Sequence, residues 1–213
     1  MKRITIGDIE KIYKNRTPGH VDQHSFFAVL VPLVEKDGQL HLLYEVRAEH
    51  IRQAGEVCFP GGKVEDGETP KACALRETTE ELGVDGKDIR VIRQMDTAYT
   101  YSSFTMFPFL GTIPYEKLDP SRYNRQEVKE AFLAPLPYLL SHDPLIYHFT
   151  VAPLVDRDFP YEKIKMPDGY NWRKGRAVVP IYEFEEHVIW GLTGRITHNL
   201  IKVLKSGGVN HEV

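Results

Sequence analysis

Glu77, Glu80 and Glu81 lie close together in the run from Thr69 to Gly83. On a helix turning roughly 100° per residue, with Glu77 at zero, Glu80 falls roughly 60° to one side and Glu81 roughly 40° to the other. All three carboxylates then share a face. Like charges at these spacings repel by about a few tenths of a kcal/mol per pair on an exposed helix. A hard divalent cation converts that repulsion into coordination, because Mg²⁺ and Mn²⁺ prefer carboxylate oxygens. The turn Phe59-Pro60-Gly61-Gly62 precedes the run, and glycine lets backbone come near a metal or phosphate. The other reading of these residues is a solvated acidic face on which Arg76 forms intrahelical salt bridges.

The elements that must position these groups follow from pattern. Thr69 and Pro70 suit an N-cap and first helical residue, and Gly83 ends the helix. Ala72, Leu75, Thr79 and Leu82 make the expected packing face. Ile4 to Tyr13 reads as a short leading helix through Ile6, Ile9, Ile12 and Tyr13. Ser25 to Val34 and Gln39 to Arg47 are strands joined by Asp37-Gly38. His50 to Lys63 is a loop with a brief strand at Val57–Phe59. Strands are expected at Ile89–Thr97, Phe104–Ile113, Leu145–Val155, Ala177–Phe184 and His187–Trp190. Glu127 to Leu140 reads as a loop and short helix broken by Pro135 and Pro137. Leu192 to Lys205 closes the chain as an amphipathic helix with Leu192, Ile196, Leu200 and Val203 on one side. The order lacks a βαβ rhythm, so a mixed sheet flanked by helices is expected.

The 213 residues suit one sizeable core, and a single domain over 1–213 is the expectation. A net charge of −3 offers no global basic field for nucleic acid. Two cysteines are too few for a disulfide framework. No signal-like or membrane-length apolar run is present, so a cytoplasmic protein without membrane contact is expected. His20 and His24 are four apart, but Pro18-Gly19 argues against a helix, so they read as ordinary polar residues. Cys73 reads as a small packing residue, since thiolate is a poor Mg²⁺ ligand. His198 reads as a surface or satisfied core residue.

The whole string from Gly62 is Gly, five residues, Glu68, seven residues, Arg76-Glu77, two residues, Glu80-Glu81, one residue, Gly83. It resembles the Nudix box, over residues 62–84, with Thr78 where that family has an aliphatic residue. The resemblance implies an α/β (α+β) fold, a Nudix α/β/α sandwich with a central mixed sheet. It implies hydrolysis of a small nucleoside diphosphate derivative with Mg²⁺ or Mn²⁺. Residue by residue, it makes Glu80 and Glu81 the principal metal ligands and Glu77 a ligand or the base that orients water. Glu68 is a helper ligand, and Arg76 holds a glutamate in place. Glu127, in a later loop, is a candidate further ligand or base, or a solvated loop residue. A homodimer is expected by family analogy alone.

Upstream, Arg47-Ala-Glu-His-Ile-Arg52-Gln-Ala-Gly55 and the Phe59-Pro-Gly-Gly62 turn resemble the extra signature of Nudix coenzyme A pyrophosphatases. Glu45 stands where that signature has Thr, and the Arg47–Gly55 stretch is one residue short. Val179-Pro-Ile-Tyr182 and Ile189-Trp-Gly-Leu-Thr193 extend the likeness towards the C-terminus. Its implied reaction splits coenzyme A, or an acylated or oxidised form, into adenosine 3′,5′-bisphosphate and 4′-phosphopantetheine. ADP-ribose or a dinucleotide is the alternative substrate, and a binding domain without turnover is the alternative class. Arg47 and Arg52 are expected to meet the 3′-phosphate or the pyrophosphate, or else to be surface residues paired with Glu45 or Glu49. Phe59 stacks on a base or, more commonly for its type, fills the core. Gly61 and Gly62 complete the expected substrate-binding set.

Overall fold

The apolar run from Ser25 to Lys36 forms strand β1, and Gln39–Arg47 returns beside it as β2. Asp37 and Gly38 make the turn, both with positive φ. The computed structural model describes residues 4–22 and 24–207. Before β1 lies helix α1, Ile6–Lys14, with Thr5 and Asp8 exchanging side-chain caps at its start. The helix begins two residues later than Ile4, and its Ile6, Ile9, Ile12 and Tyr13 are all exposed.

β3 (Val57–Cys58) and β4 (Gly61–Lys63) follow, then helix α2 (Pro70–Leu82) and strands β5 (Arg90–Gln94), β6 (Ala98–Tyr99) and β7 (Phe104–Thr112). β8 (Val128–Pro135) leads into helix α3 (Leu136–Ser141). The main sheet runs β3-β2-β1-β7-β5, with β4 on β1, β6 on β7 and β8 on β2. β1 and β7 are parallel from Ser25↔Phe104 to Leu33↔Thr112, and the other pairs are antiparallel, so the sheet is mixed. A three-stranded sheet of β9 (Leu145–Val151), β10 (Gly175–Phe184) and β11 (His187–Ile189) precedes helix α4 (Gly191–Ser206).

Side-chain alternation along β1 explains why that run is continuously apolar. Ala28, Leu30 and Val34 pack with Cys73, Ala74 and Leu82 of α2. Val29 and Val31 pack on the opposite layer with Leu139 and Leu140 of α3 and Ile196, Leu200 and Ile201 of α4. β2 divides the same way, Leu43 facing the α2 layer and Leu42, Tyr44 and Val46 the other. A fully buried side chain of this size contributes about 1.5–3 kcal/mol, so the two layers hold the sheet between helices. The Tyr44 hydroxyl adds a buried hydrogen bond of 3.0 Å to Thr197 of α4.

Three expectations are corrected. Glu127–Leu140 is not a loop before its helix: Val128–Pro135 is a strand on β2, from Val128 beside Arg47 to Pro135 beside His41. Pro135 and Pro137 are tolerated because one ends the strand and the other opens α3, where no helical N–H is needed. The packing face of α2 is turned away from Ala72, which is exposed, and runs through Cys73, Ala74, Thr78, Glu81 and Leu82, with Leu75 packed partly against the same core and Thr79 at its margin. Buried Thr78 donates to the Ala74 carbonyl at 2.7 Å, which satisfies its hydroxyl on a packing face. On α4, Val203 is exposed, and the buried face runs through Gly194, Ile196, Thr197, Leu200 and Ile201.

Candidate active site

α2 starts where Thr69 accepts a hydrogen bond from the Ala72 N–H and Pro70 supplies the first turn. It ends at Gly83, in the left-handed conformation. The Asn124 N–H then bonds the Glu81 carbonyl at 2.8 Å, which fastens the segment leading to Glu127 onto the end of α2. Carboxylate oxygens of Glu77, Glu81 and Glu127 thereby come within 4.8 Å of one another. Two unit charges at that separation repel by about 3 kcal/mol at an effective dielectric of ~20. This is far above the repulsion on an open helix face, and hard oxygen donors so crowded suit a divalent cation.

β4 explains how a carboxylate can be buried here. Gly61 pairs with Val29 of β1 and donates its N–H to Glu81 Oε2 at 2.8 Å. With φ of 151°, Gly61 lies where L side chains are strained, and a Cβ would meet Val29 Cα at 2.6 Å. The space beside Gly62 is taken by the Glu77 carboxylate. The glycine turn therefore supports the acidic face of α2 directly. Burial pushes the Glu81 carboxyl well above its usual range, with the neighbouring Glu45 adding to the rise and the Gly61 N–H opposing it. Burial also raises Glu77, against the pull of Arg76.

Arg76 holds three carboxylates. Its Nε meets Glu68 at 3.0 Å, and Nη1 meets Glu77 at 2.9 Å and Glu80 at 3.1 Å. Its hydrogen bond holds the Glu68 carboxyl below the ordinary range. Glu68 and the half-exposed Glu80 thus sit in the Arg76 fork, outside the group formed by Glu77, Glu81 and Glu127.

The upstream segment is tied to the same place. The Ala48 N–H bonds the Glu127 carbonyl at 2.9 Å, and the Gly55 N–H bonds the Arg47 carbonyl at 3.0 Å. Arg47 Nε donates to the Arg52 carbonyl at 3.0 Å, while Arg52 is exposed. Glu49 pairs with Lys129 rather than Arg47. Phe59 is 3% exposed and stacks on Tyr44 with centroids 4.8 Å apart, so its ring fills the core and has no face free for a base.

His24 is hydrogen-bonded to Thr105 at 2.8 Å and stacked on His20. His198 meets the Tyr182 hydroxyl at 3.1 Å, and burial lowers its pKa. Cys73 is buried, with Sγ 3.5 Å from the Gly62 carbonyl, and burial raises its thiol to about 11. Glu45, which the sequence marks only as a departure from the signature or a partner for Arg47, is 2% exposed in β2, and burial pushes its carboxyl up to about 8. Its signal was a carboxylate inside an otherwise apolar strand.

Residues 24–144 match the NUDIX domain family. The chain is 33% identical over 186 residues to the mitochondrial coenzyme A diphosphatase NUDT8 of Homo sapiens, covering 84% of this chain and 70% of that protein. It is 29% identical over 197 residues to Nudix hydrolase 3 of Caenorhabditis elegans, covering 90% and 78%. It is 36% identical over 135 residues to the peroxisomal coenzyme A diphosphatase NUDT7 of Mus musculus, covering 62% of this chain and 56% of that protein. It thus spans little more than half the length of the mouse relative. A MutT/nudix family protein from Enterococcus faecalis shares the fold, with a TM-score of 0.54 over 95% of this chain and 70% of that chain at 16% identity. No helix among the described residues is long and apolar enough to cross a membrane.

Proposed function

The chain belongs to the Nudix family of hydrolases that cut phosphorus anhydrides, and on that premise we propose that its substrate is coenzyme A or an acylated or oxidised form. The products are adenosine 3′,5′-bisphosphate and 4′-phosphopantetheine. What carries the reading is the Arg47–Gly55 segment, fastened through Ala48 to Glu127 at the edge of the carboxylate group. Two relatives named as coenzyme A diphosphatases support it.

Glu77 and Glu81 would hold a Mg²⁺ or Mn²⁺ ion with Glu127, and Glu80, paired with Arg76 beside them, would add negative charge at the edge of that group. Glu68 keeps Arg76 on the outer side of the group. When bound, the cation neutralises the pyrophosphate, polarises phosphorus and lowers the pKa of water. Glu127, the solvent-exposed member of the group, is our candidate for a further ligand or for the base that takes the proton of the attacking water. Gly61 fixes Glu81 through its N–H, so that ligand is ordered before substrate arrives. Arg52 offers a guanidinium fork to a phosphate, and Arg47 braces the loop that carries it.

The test compares coenzyme A with its form lacking the 3′-phosphate. One charge-assisted hydrogen bond is worth on the order of 1.5–3 kcal/mol, or roughly ten- to a hundredfold in kcat/KM. Wild type should prefer coenzyme A by that factor, and Arg52→Ala should shrink the ratio. A merely destabilised variant would lose activity on both substrates alike. Equal rates on the two by wild type would remove the 3′-phosphate contact and favour ADP-ribose or a dinucleotide as substrate.

A further inference from the structure

β9 (Leu145–Val151) is the outer strand of the three-stranded sheet, and among the described residues its far edge pairs with no other strand. From Leu145 to Thr150 every residue is exposed, on both faces of the strand. Open edges are ordinarily defended by lysine, proline, a bulge or an inward charge. β9 has no Asp, Glu, Lys, Arg or Pro, and its register with β10 runs unbroken from Val151↔Gly175 to Leu145↔Ile181. Leu145, Ile146, Tyr147 and Phe149, with Tyr101 packed edge-on against Phe149, leave exposed the equivalent of about two and a half side chains, roughly 400–650 Å² at 150–250 Å² each. The open main chain of the strand brings this near the ~800 Å² that each partner contributes to a stable interface.

We propose that this edge takes β9 of a second copy of the chain, antiparallel across a two-fold axis, joining the two three-stranded sheets into one of six strands. Reversed about His148, the strand matches itself. Leu145 falls opposite Val151, Ile146 opposite Thr150 and Tyr147 opposite Phe149. Aliphatic thus meets aliphatic, β-branched meets β-branched and aromatic meets aromatic, the pairs that stabilise neighbouring strands. Across the edge each side chain gains a neighbour on its own face, so both faces of β9 are covered at once. A two-fold pairing uses the same edge on both chains and leaves neither open. Without lysine or arginine the strand has no pull on an anionic lipid surface or nucleic acid, and its unpaired N–H and C=O groups are satisfied by another strand.

Sedimentation equilibrium over a wide range of protein concentration tests the pairing. Wild type should have twice the mass of the chain. His148→Lys sets two ammonium groups opposite each other at the axis, on a residue that is exposed in the single chain. It should keep the fold and weaken the dimer at least about tenfold, because like charges juxtaposed across an interface repel. His148→Cys places two thiols at the axis, where directly opposite Cα atoms lie about 4.5–5.5 Å apart, inside the span of a disulfide. A mild oxidant should join His148→Cys into a covalent dimer on a denaturing gel. It should leave Glu185→Cys, in the exposed turn between β10 and β11, as single chains. Wild type that stays monomeric at every concentration would overturn the proposal. A His148→Lys dimer as tight as wild type, or no cross-linking of His148→Cys, would take the contact off β9 and overturn it equally.

Discussion

Glu81→Gln should lower kcat by about 10³-fold while leaving the protein folded. A cation that polarises phosphorus is worth several kcal/mol in the transition state, and about 4 kcal/mol corresponds to that factor. Glu81 is the buried member of the carboxylate group, held by the Gly61 N–H at 2.8 Å. The Gln carbonyl can still accept that hydrogen bond, so the variant loses charge without losing its anchor. It also relieves repulsion from Glu45 and Glu77, so its metal-free form should melt no lower than wild type. Glu80→Gln should cost less, because Glu80 is half-exposed and lies in the Arg76 fork. Steady-state kinetics with thermal melts separate the two effects. A Glu81→Gln protein that turns over at the wild-type rate would remove this residue from the chemistry.

Stripping divalent cations should abolish hydrolysis, and adding Mg²⁺ or Mn²⁺ should restore it. The donor group is all carboxylate, and burial keeps Cys73 as a thiol rather than a soft thiolate ligand. The expected difference between stripped and reloaded protein is again at least about 10³-fold. The pH dependence has a definite sign. Burial raises Glu77 and Glu81, and a cation competes with their protons. Apparent Mn²⁺ affinity should therefore weaken as pH falls and strengthen as it rises. Full activity after chelation, with no trace metal bound, would refute a metal-held pyrophosphate.

Local signals carried much of the site. Thr69, Pro70 and Gly83 bound α2 because capping is decided by a few adjacent residues. β1 and β2 were legible because both of their faces are buried, which demands an apolar run. β8 was not, since Val128–Pro135 gains its order from pairing with distant β2, and its two prolines suggested a break. The rotation of α2 escaped pattern reading for a similar reason. Burying Glu81 is acceptable only because Gly61, delivered by β4, supplies an N–H to it. Phe59 could not be placed by type, because an aromatic before a glycine turn serves core or site equally well; stacking on Tyr44 decides for the core. Glu45 looked like a departure at one position of a motif, and its burial beside Glu81 emerges only when β2 and α2 are packed together.

The most direct measurement is product identification with coenzyme A, by chromatography and mass spectrometry, on metal-free protein before and after adding Mg²⁺ or Mn²⁺. Cleavage at the pyrophosphate should yield adenosine 3′,5′-bisphosphate and 4′-phosphopantetheine in equal amounts, with metal and not without it. Coenzyme A left intact under every condition, while ADP-ribose or a dinucleotide is cut, would contradict the substrate, and metal-independent cleavage would contradict the mechanism.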